Sequence, residues 1–273
     1  MSVMKLGIGT YTYMWSIGFE GAQPALPMDA IGLLAKGRDL GVHVVQFGPN
    51  LALDALSETQ MHEVVDCARS AEIELEIGTR GLDLQHLRRQ FELAARLGCS
   101  LVRTVPELSN GEVPCRAELQ DRLREVVPEL DRFRVRLALE NGDIPAQDLA
   151  DTLDALANPW LGVTLDTANS LAIPEGTRQV VKTLARHTMC FHVKDFVVRR
   201  VWHRMGFIVE GRPAGQGQMD LPWILEELKS ARSGANAILE LWPPEQAELQ
   251  LTGALEQEWA EQSIRYLRQF ILN

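Results

Sequence analysis

The chain has 273 residues, with 27 Lys and Arg against 37 Asp and Glu, for a formal charge of −10. Its hydrophobic fraction of 46% excludes a largely disordered chain, and no run approaches the ~18 apolar residues of a membrane span. The acidic balance argues against nucleic acid as the main partner, because such proteins neutralise phosphates with clustered Lys and Arg.

In chain order, short β-rich runs alternate with longer amphipathic segments. The predicted strands are 5–10, 43–48, 73–79, 100–105, 134–141, 161–167, 189–194 and 237–241. Several are apolar at nearly every position, as in Val42-His43-Val44-Val45-Gln46-Phe47, which suits parallel strands covered by helices. The predicted helices are 27–40, 57–71, 82–97, 116–132, 145–156, 175–185, 221–231 and 245–270. Ser57 with Gln60 forms a capping box, and Gly41 and Gly98 stop the helices that precede them.

Eight strands alternating with eight helices predict an α/β fold, a single (β/α)8 TIM barrel spanning residues 1–273. A doubly wound open sheet would need a phosphate-binding glycine turn after the first strand. Gly7-Ile8-Gly9-Thr10-Tyr11-Thr12 lacks its third glycine. The connection after strand 7 is unusually long. Its segment 196–219, rich in Arg and Gly, predicts a long loop over the barrel mouth. Gly215 and Gly217 turn that loop back, and Asp220 is placed to cap the next helix.

Cys67, Cys99, Cys115 and Cys190 form no CxxC pair and read as reduced thiols. The first residues run directly into a strand with no signal-peptide pattern, so a cytoplasmic protein is expected.

Four strand ends carry candidate metal ligands. Glu140, Asp166, His192 and Glu240 each interrupt an apolar run near its C-terminal end, where barrel active sites form. One buried, unpaired carboxylate is costly, but three become tolerable around a divalent cation. The oxygen-rich donor set points first to one Mn²⁺, with Mg²⁺, Co²⁺ and Zn²⁺ as alternatives. Each residue alone is more often a salt-bridged structural group; the joint pattern on successive strands carries the signal.

Basic residues cluster nearby. Arg80 and Arg103 follow or end strands, Lys194 follows His192, and Arg199, Arg200, His203, Arg204 and Arg212 crowd the long loop. In an acidic protein this predicts an anionic substrate, bound by Arg80, Arg103, Lys194, Arg200 and His203. Lys194 has an alternative partner in Asp195. Tyr11 and Trp15, with Tyr13 between them, follow the first strand and are candidate walls of a sugar pocket, as are Trp202 and Trp242. His43 and His187 sit at strand starts, away from this end.

The runs Leu139-Glu140-Asn141, Leu165-Asp166-Thr167, Phe191-His192-Val193-Lys194-Asp195, Gly215-Gln216-Gly217-Gln218-Met219-Asp220 and Leu239-Glu240 resemble the xylose-isomerase-like TIM barrels. This sugar isomerase and epimerase superfamily also includes ketose 3-epimerases, hydroxypyruvate isomerase, inosose dehydratase and enzymes of the endonuclease IV type. The resemblance implies that Glu140, Asp166, His192 and Glu240 hold one divalent metal. It further implies that Glu140 and Glu240 are the catalytic acid and base, moving a proton through an enediolate held at the metal. The sequence departs from the ketose epimerases at two places. Asn169 stands where they carry a substrate-contacting histidine, and Val198 stands where they carry an arginine.

The expected function is therefore a metal-dependent isomerase or epimerase of a small anionic sugar or keto sugar acid. The second reading is a lyase, either a decarboxylase or a dehydratase, which uses the same intermediate and explains the basic residues and Asn169. An abasic-site endonuclease is disfavoured by the charge and by Phe47-Gly48 and Gly78-Thr79, where added histidines would be needed. A non-catalytic sugar-binding barrel is disfavoured by the intact ligand set. A small carbohydrate or sugar acid is the expected partner, and a homodimer or homotetramer the expected assembly.

Overall fold

The computed structural model describes residues 4–231 and 234–272. Strands β1 (Leu6–Gly9), β2 (Val44–Phe47), β3 (Glu74–Arg80), β4 (Leu101–Val105), β5 (Arg136–Glu140), β6 (Leu161–Asp166), β7 (Thr188–Val193) and β10 (Asn236–Leu239) pair in parallel. They close into a barrel, with β1 hydrogen-bonded to both β2 and β10. Each matches a predicted strand to within a few residues.

Helices α2 (Ala30–Leu40), α3 (Glu58–Ser70), α4 (Leu84–Leu97), α5 (Arg116–Phe133), α6 (Ala146–Leu156), α7 (Thr177–Leu184), α8 (Leu221–Ser230) and α9 (Leu249–Leu267) connect the strands or follow them. A four-residue helix, α1 (Met14–Ile17), lies beside β1 and is not visible as a sequence period. Local chemistry sets the ends. The Asp29 side chain accepts from Gly32 N and so starts α2 three residues later than Pro27 had suggested. Ser57 and Gln60 form the expected capping box of α3. Gly98 ends α4 at φ +72°. No helix among the described residues is long and apolar enough to cross a membrane. Cys99 and Cys190 are buried, whereas Cys115 is exposed at the start of α5.

The segment after β7 corrects the expected loop. Strands β8 (Asp195–Arg200) and β9 (Phe207–Arg212) form an antiparallel hairpin. Its register runs from Asp195 opposite Arg212 to Arg200 opposite Phe207. Phe196, Val197 and Val198 on one strand and Phe207, Ile208 and Val209 on the other supply the β-branched and aromatic residues that strands favour.

Asp195 ties the base of this hairpin to the following turn. Its carboxylate accepts from Phe196 N at 2.9 Å, Gly215 N at 2.8 Å, Gly217 N at 2.9 Å and Met219 N at 3.1 Å. A side chain at position 217 would overlap Asp195 Oδ1, so glycine is required there for space. Asp220 then caps α8 by accepting from Trp223 N, as expected.

Two predictions test this knot. Asp195→Ala strands four buried or half-buried N–H groups and is expected to lower the unfolding free energy by about 3 kcal/mol. Gly217→Ala should lower it by about 1–3 kcal/mol through overpacking. Urea denaturation measures both, with Arg69→Ala on the exposed side of α3 as a near-neutral control. An unchanged midpoint in Asp195→Ala would show that the carboxylate does not organise the turn.

Candidate active site

The barrel interior is built in steps. Val44, Leu101, Ala138, Cys190 and Ile238 form a fully buried cluster separate from the main core. Side chains two residues apart on a strand share a face. Two residues beyond each member of this plug stands a polar group: Gln46, Arg103, Glu140, His192 and Glu240. Asp166 joins them because β6 and β7 pair in a register that sets Asp166 directly opposite His192. Six polar side chains thus ring the C-terminal end of the plug, and all six are buried.

The four sequence candidates for metal ligation come together here. Glu140, Asp166 and His192 offer ligand atoms within 4.8 Å of one another. His192 Nδ1 lies 3.7 Å from Glu140 Oε1, 3.7 Å from Asp166 Oδ2 and 3.3 Å from Glu240 Oε1. Glu140 Oε2, Asp166 Oδ2 and His192 Nδ1 are buried without an aligned hydrogen bond among the described residues. Of these, Glu140 Oε2 and Asp166 Oδ2 face the cations Arg103 and Lys194, while His192 Nδ1 faces carboxylate oxygens on three sides, and a carboxylate–imidazole grouping this tight fits a cation. The donor set, carboxylate oxygens with one imidazole nitrogen, suits a hard or borderline divalent ion.

Two fixed cations share the ring. Arg103 Nε is 3.1 Å from Glu140 Oε2, and its guanidinium sits over the Tyr11 ring at 5.9 Å. Gly78 makes room for it, since a Cβ there would lie 3.1 Å from the guanidinium carbon. Lys194 Nζ is 2.7 Å from Asp166 Oδ2 and 2.9 Å from Glu240 Oε2. Asn169 bridges the two sides: its Nδ2 donates to Glu140 Oε1 at 2.7 Å and its Oδ1 accepts from Lys194 Nζ at 3.2 Å.

These charges set the protonation states. Burial would raise the Glu140 carboxyl, but Arg103, His192 and Lys194 outweigh it and hold the group below the usual carboxylate range. Asp166 is likewise lowered, by Lys194 and His192 against burial. Burial would lower Lys194, yet Asp166 and Glu240 hold it well above the ordinary lysine value.

Arg103, Glu140 and Glu240 of the ring reach a cleft of about 620 Å³. Tyr11, Arg80, Arg103, Glu140, Asn169, Lys194 and Glu240 line it, together with apolar residues such as Met14, Pro49, Val105, Ile144 and Trp242. Arg80 stands at the exposed rim, paired with Glu107 at 2.6 Å. The other expected substrate contacts lie elsewhere. Trp15 is not among the lining residues: Glu256 on α9 accepts from Trp15 N at 2.7 Å and from Ser16 N at 2.9 Å, and the Trp15 ring packs edge-on against Phe19. Arg200 and His203 sit at the hairpin end away from the lining. Arg200 donates to the Arg204 carbonyl and stacks on Phe207, and His203 accepts from Met205 N. Arg199 and Arg212 are paired with Glu210. The alternative Lys194–Asp195 pair is not formed: Lys194 pairs with Asp166 and Glu240, and the Asp195 oxygens accept from the turn.

Sequence reading missed Gln46 and Glu76. Gln46 Oε1 lies 2.9 Å from His192 Nε2, and Gln46 Nε2 donates to Glu76 Oε2 at 3.0 Å. The signal for Gln46 was present in spacing, since Gln46 follows Val44 as His192 follows Cys190.

A family model described as xylose isomerase-like TIM barrel matches residues 16–270. The chain is 29% identical over 265 residues to a 3-oxo-isoapionate decarboxylase of Pectobacterium atrosepticum, covering 97% of this chain and 95% of that one. Among solved structures, D-psicose 3-epimerase from Clostridium cellulolyticum H10 with D-tagatose superposes with a TM-score of 0.73 at 14% identity, over 98% of this chain and 99% of that one. A xylose isomerase-like TIM barrel protein from Mycobacterium smegmatis in complex with magnesium gives 0.70 at 14% identity, over 96% and 97%. With its closed eightfold barrel and a family match spanning nearly its full length, the chain belongs to the xylose isomerase-like TIM barrel family.

Proposed function

We propose that this protein is a divalent-metal-dependent lyase that decarboxylates a 3-oxo sugar acid. Glu140, Asp166, His192 and Glu240 would hold the metal, Mn²⁺ or Mg²⁺ by donor chemistry. When bound, the metal supplies a Lewis acid for the substrate's keto oxygen.

The observation that carries this reading is the placement of Arg103 and Lys194 inside the carboxylate ring. Burial would lower the His192 imidazole, but Glu240 and Glu140 hold it well above its ordinary value while no cation is bound. As a metal ligand it would be the neutral imidazole, and three carboxylates against these two cations then leave one excess negative charge. A divalent ion turns that into one excess positive charge, which a single substrate carboxylate balances. A neutral ketose would leave that charge unmatched in a buried site.

Glu140 favours decarboxylation over α-proton abstraction. Arg103 and Asn169 both engage its carboxylate, and its lowered pKa makes it a weak base. Loss of CO₂ from a β-keto acid needs no base. The electrons of the breaking C–C bond pass into the neighbouring carbonyl, giving an enediolate and CO₂. A proton from solvent at the carbon that lost CO₂ then gives the ketose product. Arg103 and Lys194 stabilise the negative charge as it moves from the carboxylate to the keto oxygen. The relative named for decarboxylation of 3-oxo-isoapionate supports this choice over the isomerase or epimerase expectation.

Incubation with Mn²⁺ and 3-oxo-isoapionate or a related 3-oxo sugar acid is expected to release one CO₂ per substrate. Chelation should abolish the release and Mn²⁺ should restore it, as followed by ¹³C NMR of carboxyl-labelled substrate. An isomer of unchanged mass would contradict the lyase assignment. In a second test, Arg103→Met should lower kcat/KM about 100-fold, with Arg103→Lys retaining part of the loss. An unaffected rate in Arg103→Met would remove the charge argument.

A further inference from the structure

Glu76 is a buried carboxylate on β3, 2% exposed, with no ion pair among the described residues. An acid in such a place is costly unless its oxygens are engaged. Its neighbours are donors: Gln46 Nε2 at 3.0 Å, Asn236 Nδ2 at 2.9 Å and, weakly, the Cys190 thiol at 3.9 Å. We propose that Glu76 and Gln46 act as positioning residues, a carboxylate–amide relay that fixes which ring nitrogen of His192 faces the three carboxylates. This rests on the reading of His192 as a metal ligand.

The direction of the relay follows from donor and acceptor inventory. Burial raises the Glu76 carboxyl, against the hydrogen bonds from Asn236 and Gln46 that favour its ionised form; ionised, it only accepts, and Gln46 turns its NH₂ towards it. Its carbonyl oxygen then points to His192 Nε2, 2.9 Å away, and can only accept. Nε2 must therefore carry the ring proton. In the neutral imidazole this leaves Nδ1 as a lone pair, and Nδ1 is the atom that faces Glu140, Asp166 and Glu240. Asn236 anchors the far end: its Oδ1 accepts from Lys5 N at 3.3 Å, which leaves its NH₂ for Glu76. Ring nitrogens of metal-bound histidines are commonly oriented by such outer partners, whose loss costs about 10- to 100-fold in metal affinity. Here an amide is interposed between the carboxylate and the imidazole: Gln46 is the register partner of Glu76 and bonds to both. A relay of purely structural worth would change stability and leave cation affinity alone.

The test uses the metal-free full chain and Mn²⁺ titration calorimetry, with thermal melting of the metal-free forms. Gln46→Leu keeps similar volume and removes the acceptor. Glu76→Gln is near-isosteric and frees the Gln46 amide to turn over. Both are expected to weaken Mn²⁺ binding about 10- to 100-fold. In Mg²⁺-loaded wild type, ¹⁵N–¹H correlation should place the His192 ring proton on Nε2. His192→Ala is the reference for the ligand reading. If His192→Ala loses Mn²⁺ while Gln46→Leu and Glu76→Gln bind as wild type does, the relay is overturned alone. If His192→Ala also binds normally, the ligand reading falls and the relay with it. A ring proton on Nδ1 overturns the relay directly.

Discussion

Three carboxylates buried at one end of a closed barrel are the constraint around which the rest of the site is arranged. Glu140, Asp166 and Glu240 are almost wholly removed from water and lie around one imidazole nitrogen. Like charges this close repel strongly in a poorly polarisable interior, so positive charge must be present for them to stay ionised. Arg103 and Lys194 supply part of it. His192 adds to it while no cation is bound; in the proposed function a divalent cation would take that part and favour an anionic substrate.

The barrel makes this concentration of charge affordable by separating duties along each strand. The apolar plug of Val44, Leu101, Ala138, Cys190 and Ile238 seals the interior, and the next inward-facing residue on each strand is free to be polar. Main-chain hydrogen bonding in the parallel sheet holds those residues at fixed positions, so the ring is placed by the most rigid part of the fold. Lys194 and Asp195, adjacent in sequence at the junction of β7 and β8, have unrelated work. One reaches into the cleft, and the other ties the hairpin to the turn before α8.

Much of this was legible in the sequence, for physical reasons. The barrel strands stood out as short β-rich runs alternating with helix-length segments, several of them apolar at nearly every residue because they are covered on both sides. Glu140, Asp166, His192 and Glu240 stood out because a charged or titratable group at the end of such a run is costly. Gln46 did not, because an amide inside a strand carries no comparable penalty and its partner is 30 residues away. The hairpin β8–β9 was hidden by its arginines and glycines, which made a strand pair look like an irregular loop. The same arginines misled the search for substrate contacts. Closeness in sequence to His192 did not bring Arg200 or His203 to the cleft, because a two-stranded ribbon carries its end away from its base. Trp15 lies off the cleft lining, with its backbone N–H held by Glu256, a contact spanning most of the chain. Asn169 was read as a departure from the ketose epimerases, and its position between Glu140 and Lys194 gives that departure a structural role.

The central claim is that the buried carboxylate ring is a cation site. Anomalous X-ray diffraction at the manganese edge, from crystals grown with Mn²⁺, tests it most directly. The account predicts one strong peak within coordination distance of Glu140, Asp166, His192 Nδ1 and Glu240. An empty ring at saturating Mn²⁺, with Lys194 still seated between Asp166 and Glu240, would contradict it.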